Sequence, residues 1–236
     1  MADTDDRNSQ RIVIEADGPY HVHADIPLVR KTQVVSEYGE PLTWKPAGAI
    51  RTNGAYELCR CGQSSAKPFC DGTHWGAGFD GTETADAGPT AARQITYEGS
   101  TGIVIKRDHS LCMEAGFCGT RLASIEKLAA ETGDTNVRSQ VIAMIERCPS
   151  GSLVYAMAAG EPEIEPDLPP QIAVTTEITA DGPIAGPLWV TGNITIERAD
   201  GQPFETRNRV TLCNCGESKN KPLCDGAHRA LAAAKS

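Results

Sequence analysis

The chain has 236 residues, 40% of them hydrophobic and 22% charged, with 22 basic against 31 acidic side chains and a net charge of −9. That balance argues against nucleic acid, which needs a basic face to meet phosphates, and no run of about eighteen apolar residues reads as a membrane span. The length points to roughly two or three small domains, and the polar opening MADTDDRNSQ, without an apolar core, makes a cytoplasmic location the expectation.

Residues 1–11 read as a disordered tail. From Arg11, RIVIEADGPYHVHADIPLV and then YGEPLTW alternate apolar and polar residues between Gly/Pro turns, the pattern of short strands. They lead to Cys59, Cys61, Cys70 and His74, spaced Cys-x-Cys-x8-Cys-x3-His. A small, polar stretch over 81–92 reads as a linker. Beyond it, QITYEG and IVIKRD read as strands, while Leu122, Ile125 and Leu128 share one helical face and Val137, Val141 and Ile145 another, in a helix running up to Cys148. EPEIEPDLPPQ, rich in Pro and acid, places a second linker over 159–180. The last segment repeats the first: Gly186-Pro187-Leu188-Trp189-Val190 resembles Gly18-Pro19-Tyr20-His21-Val22, and Cys213, Cys215, Cys224 and His228 repeat the ligand spacing. His21 and His23 share one strand face and read as solvated or packed; Trp44, Trp75 and Trp189 read as core covers.

Ten of the sixteen positions in the two motifs are identical, including Gly62/Gly216, Ser64/Ser218, Lys67/Lys221, Pro68/Pro222, Asp71/Asp225 and Gly72/Gly226. This is an internal repeat of a metal site. Nine cysteines are an odd count, and a His at a fixed offset from them favours metal-bound thiolates over disulfides. Tetrahedral zinc usually takes a Cys-x2-4-Cys knuckle; the tighter Cys-x-Cys pair suits two thiolates on one iron of a cluster, with the later Cys and His on the other. Asp71-Gly72 and Asp225-Gly226 should open a helical turn, the Asp accepting backbone N–H groups.

Cys-Arg-Cys-Gly-Gln-Ser-Ser-Ala-Lys-Pro-Phe-Cys-Asp-Gly-Thr-His and its second copy resemble the CDGSH iron–sulfur, or NEET, family. The resemblance implies a 2Fe-2S cluster at each motif, held by three Cys and one His. The family's Ser before the His is Thr73 in one copy and Ala227 in the other, so the two centres are not expected to be equivalent. One imidazole in place of a thiolate removes a negative charge and eases reduction, and it makes binding proton-sensitive, so acid should loosen the clusters before it unfolds the chain. Free-standing modules of this family resemble halves of a homodimer with intertwined strands; two copies in one chain therefore imply an intramolecular pseudo-dimer, a monomer rather than a homodimer.

Three cysteines remain: Cys112 and Cys118, five residues between them, and Cys148 followed by Pro149. Ala115 stands where a ferredoxin would carry its central Cys. The pattern resembles single-cluster bacterial ferredoxins, including the divergent mono-cluster domain found beside CDGSH modules, and implies a 3Fe-4S cluster, or a 4Fe-4S cluster with a non-Cys fourth ligand. His109 and Glu114 are candidates for that corner, each against the plainer reading of a solvated side chain; the plain reading of the three thiols is small buried hydrophobes.

The expected fold is α+β: two β-rich CDGSH modules, residues 12–80 and 181–236, around an inserted α+β ferredoxin-like domain, residues 93–158. No nucleophile elbow, phosphate loop or dinucleotide fingerprint occurs. The expectation is a non-enzymatic carrier of single electrons between a reductase and an acceptor enzyme. The alternative is cluster transfer or storage, or redox and pH sensing.

Overall fold

The computed structural model describes residues 10–234. The expected tail falls mainly on residues 1–9, outside that range, and the first strand already begins at Arg11. The fold is α+β, with twelve strands in three sheets and four α-helices among the described residues.

The first module contributes β1 (Arg11–Ile14), β2 (Tyr20–His23), β3 (Leu28–Val35), β4 (Pro41–Ile50) and β5 (Tyr56–Leu58). The second contributes β9 (Gln171–Thr179), β10 (Gly182–Thr191), β11 (Thr195–Glu197) and β12 (Arg209–Leu212). One sheet runs β11-β1-β2-β5 and the other β12-β10-β9-β3-β4. The first sheet thus takes three strands from its own repeat and one guest, β11, parallel to β1; the second takes three of its own and two guests, β3 parallel to β9 and β4 antiparallel to β3. This exchange is the intramolecular pseudo-dimer.

Alternation decides which side chains meet between the sheets. Ile12, Ile14, Tyr20, Val22 and Leu58 from one sheet join Ile172, Leu188, Val190, Val210 and Leu212 from the other in one core. The opposite face of β2 carries His21, whose ring lies 2.7 Å from Glu15 and 3.4 Å from Glu57. A single module has too few such residues to bury alone, and the shared core supplies what each lacks.

The second linker is shorter than the sequence reading gives. Gln171–Thr179 is the central strand β9 of the second sheet, with Ile172, Ala173, Thr175 and Glu177 buried. Alternating QIAVTTEIT outweighs the Pro-rich run before it, so the second module begins near Gln171.

Between the modules, β6 (Ile95–Glu98), β7 (Val104–Arg107) and β8 (Leu153–Ala156) form an antiparallel sheet covered by α2 (Ile125–Ala129) and α3 (Thr135–Arg147). Ile105, Ile125, Val141, Ile145 and Tyr155 fill their core. Leu122 departs from the expected helical face: it lies in the turn before α2 and is 93% exposed. Asp134 caps α3 by accepting from Asn136 N–H.

Arg209 of β12 fastens this domain to the second module. Its side chain is fully buried, and Nη1 donates to the carbonyls of Ile145, Glu146 and Cys148 at 3.0, 2.7 and 2.9 Å. Nη2 donates to Leu153 at 3.0 Å, and Nε lies 2.8 Å from Glu165. A guanidinium at the open carbonyls of a helix end satisfies groups that the helix cannot. No helix among the described residues is long and apolar enough to cross a membrane.

Candidate metal centres

Each repeated motif is a loop returning to a one-turn helix start. Cys59 N–H donates to Pro68 O and Cys70 N–H to Glu57 O at 2.8 and 3.0 Å; Cys213 and Cys224 make the matching bonds to Pro222 and Thr211 at 2.8 and 2.9 Å. The Ser64 and Ser218 hydroxyls each donate across the loop at 2.7 Å, to Phe69 O and Leu223 O. Asp71 accepts from Thr73 N–H at 3.1 Å and Asp225 from Ala227 N–H at 3.0 Å, where α1 (Thr73–Ala77) and α4 (Ala227–Ala233) begin. Gly72 and Gly226 turn into those helices with φ of 82° and 89°. Both helical turns stand where the sequence places them.

Within each motif the sulfur and nitrogen donors lie in pairs. Cys59 Sγ is 3.8 Å from Cys61 Sγ, and Cys70 Sγ is 3.4 Å from His74 Nδ1. The second copy gives 3.6 Å for Cys213–Cys215 and 3.5 Å for Cys224 Sγ to His228 Nδ1. Among the described residues no three His, Cys, Asp or Glu side chains converge as ligands of one ion. All nine cysteines are free of disulfides. Backbone N–H groups of Gln63 and Gly72 point at Cys61 and Cys70 sulfurs, each at 3.5 Å, as thiolates would require. Burial pushes the Cys61, Cys70 and Cys224 thiols up, whereas the bond from Cys215 lowers Cys213 to about 6 and raises Cys215 itself. The thiols that burial raises would ionise readily only beside positive charge, which a bound metal would supply. The donor set fits a cluster with two metal positions.

The motifs also touch. A β-carbon on Gly62 would collide with the Cys215 backbone, and one on Gly216 with that of Cys61, so the two Cys-x-Cys-Gly turns face each other closely across the pseudo-dyad. Tyr20 of the first repeat donates to Cys213 O at 2.7 Å.

Cys112, Cys118 and Cys148 line one cavity of about 540 Å³ in the middle domain, together with His109, Glu114 and Arg107. The Arg107 guanidinium pairs with Glu126; burial works against its charge, but Cys118, Glu126 and Cys112 outweigh that and raise its pKa. Burial raises the Cys118 thiol despite Arg107. Arg107 was not singled out from sequence; its place at the end of a strand running into the Cys segment was the available signal. Three thiols, a facing guanidinium and a cavity of this size fit a cluster. Neither His109 nor Glu114 has a contact with a thiol that marks it as the further ligand.

This cavity opens onto the second motif. Asn220 and Asp225 form part of its wall, Asn220 Nδ2 donates to Ser110 O at 2.6 Å, and a β-carbon on Gly226 would press on Glu114 and Met113 at 3.1 and 3.2 Å. Met113, Ala115 and Phe117 bury Cys224 in a common apolar cluster. In sequence the middle domain separates the repeats; in space the second motif touches both the first motif and the middle cavity.

Trp189 and the half-buried Trp44 do pack, 5.7 Å apart. Trp75 does not: it is 80% exposed beside His74, their rings 4.9 Å apart. On a one-turn helix the residue after the buried His faces outward.

Paired thiols and imidazoles in a strand-exchanged β frame, joined to a three-thiol cavity, define an iron–sulfur protein. Residues 17–75 and 185–229 match the iron-binding zinc finger CDGSH type, and residues 97–158 match the divergent 4Fe-4S mono-cluster family. The chain carries two CDGSH regions flanking a divergent mono-cluster domain. Neither the curated proteins nor the solved structures yield a significant match.

Proposed function

We propose that this chain is a monomeric, cytoplasmic electron carrier that passes single electrons between a reductase and an acceptor enzyme. Cys59 and Cys61, with Cys70 and His74, would hold one 2Fe-2S cluster; Cys213 and Cys215, with Cys224 and His228, would hold the other. Cys112, Cys118 and Cys148 would hold a 3Fe-4S or 4Fe-4S cluster. These groups would supply reversible one-electron chemistry; the chain's own residues fix their spacing, wetting and charge.

Contiguity carries this reading. The Gly62/Gly216 contact joins the two motifs, and the contact of Gly226 with Met113 and Glu114 joins the second motif to the middle cavity. Backbone contact between neighbouring sites supports a short electron path through one chain. The paired donors support dinuclear centres at the repeats rather than single zinc ions.

The test is to mix anaerobically purified protein with an apo-ferredoxin, and separately with a reductase and a redox dye. Rapid dye reduction through the protein, with its own visible spectrum retained, is expected. Movement of the spectrum to the apo-ferredoxin within minutes, without dye turnover, would instead establish cluster transfer.

A further inference from the structure

The two ligand imidazoles have different partners on their far side. Glu177 is fully buried on β9, with Oε1 3.1 Å from His228 Nε2. Its Oε2 pairs with Arg229 Nη2 at 2.5 Å. With Nδ1 facing Cys224 as the ligating nitrogen, Nε2 would carry the ring proton and donate it to the carboxylate. His74 turns Nδ1 toward Cys70 in the same way, but its Nε2 is buried without a hydrogen-bond partner; the Trp75 ring lies beside it instead.

Hairpin length produces the difference. β9 and β10 pair as far as Thr179 and Gly182 and so reach over α4, whereas β1 ends at Ile14 and turns over Glu15–Gly18. In the same sheet, the first repeat's β3 lies parallel to β9 with Thr32 opposite Thr176. The next residue, Gln33, is also buried, but its amide is occupied by Ala115 O and Ile178 N–H. In the short β1–β2 hairpin the Asp17 carboxylate accepts from Gly81 N–H at 2.7 Å, and His74 Nε2 has no carboxylate partner.

We propose that Glu177 is a positioning residue that makes His228 a stronger ligand than His74, so that the second motif has the lower reduction potential and a single electron rests at the first. The inference depends on the ligand assignment above. A carboxylate on the outer N–H of a ligating imidazole fixes the ring and raises its basicity. A more electron-rich ligand favours the oxidised metal, and the dry surroundings of Glu177 strengthen the effect. Arg229 stands on the other carboxylate oxygen and moderates it.

An anaerobic redox titration of the full holo-protein, followed by visible absorption and EPR, tests this. Wild type should reduce its two His-ligated centres in two separate steps. His74→Cys and His228→Cys, each moving one step, assign them, and the second motif should be the lower. Glu177→Gln keeps an acceptor of similar shape without the charge; it should raise the lower step and narrow the gap. Arg229→Gln, at a part-exposed side chain, should move that same step downward, which covers the case in which Glu177 variants fail to fold. Fully iron-loaded protein whose steps coincide, or do not respond to these substitutions, overturns the proposal alone. An iron-free chain overturns it together with the ligand assignment.

Discussion

The two motifs share their loop bonds almost atom for atom and differ in what surrounds them. Four residues before the first Cys, the first copy has exposed Ala55 and the second has buried Arg209. Beside the His, the first has exposed Trp75 and the second has the Glu177–Arg229 pair. Cys70 is half-buried, while Cys224 is 2% exposed beneath Met113 and Phe117. A duplicated ligand loop has thus been given one face toward solvent and one face toward a second cofactor domain. Identical coordination does not make equivalent centres; the supporting strands decide.

The comparison breaks most severely at Arg209. Arg209→Met leaves Glu165 and the carbonyls at the end of α3 without their partner, and removing one member of a buried ionic network costs about 3–5 kcal/mol. Urea denaturation should show that loss, with iron at the middle and second sites falling before iron at the first. Ala55→Ser, at the matching position, should change stability by less than about 0.5 kcal/mol.

Substitution at the contact between the motifs comes next. Gly62 and Gly216 have φ of 77° and 86° and face backbone across the dyad. Gly62→Ala and Gly216→Ala should each cost about 1–3 kcal/mol from strain, with the collision added. Equal losses by thermal unfolding would support the dyad; a loss at only one position would break it.

Asp71 sharpens a smaller contrast. It accepts from the Ser65 hydroxyl as well as from backbone, whereas Lys219 in the second copy offers Asp225 only its backbone N–H. Hydrogen bonds from Thr73 and Ser65 hold the Asp71 carboxyl well below its ordinary value near 3.8. A folded-state pKa below the unfolded one gives stability that is complete above that ordinary value and is lost as pH falls toward the folded value. Asp71→Asn should therefore flatten the acid limb of a stability-versus-pH curve measured by circular dichroism. Ser65→Lys, which copies the second motif, should flatten it partway.

The smallest expected effect on stability is at Trp75. Exposed as it is, Trp75→Ala should stay within about 0.5 kcal/mol in denaturation, yet it removes the ring covering His74. Stopped-flow reduction by an external donor should then change in rate at the first centre and remain unaltered at the second.

Chemistry that depends on local spacing was legible in the sequence. The grouping of Cys59, Cys61, Cys70 and His74, its second copy and the Asp-Gly turns follow from residues within sixteen positions of one another and from their repetition, whereas the shared-strand frame was what the family resemblance implied. Less legible was whatever depends on which strands become neighbours. Glu177 sits in an otherwise Thr- and Ile-rich strand that a Pro-rich run disguises as linker, and only a long hairpin carries it to His228. Arg209 reads as an ordinary polar strand residue until α3 ends against it. Trp75 looked like core because aromatic rings usually are, but a one-turn helix that buries its His must turn the next side chain outward.

The most direct measurement is iron, acid-labile sulfide and zinc analysis of the anaerobically purified chain, with EPR of both oxidation states. The account predicts about seven or eight irons per chain, near-stoichiometric sulfide, and two kinds of cluster signal, from the His-ligated centres and from the middle centre. An iron-free protein with zinc at the Cys/His motifs would contradict it.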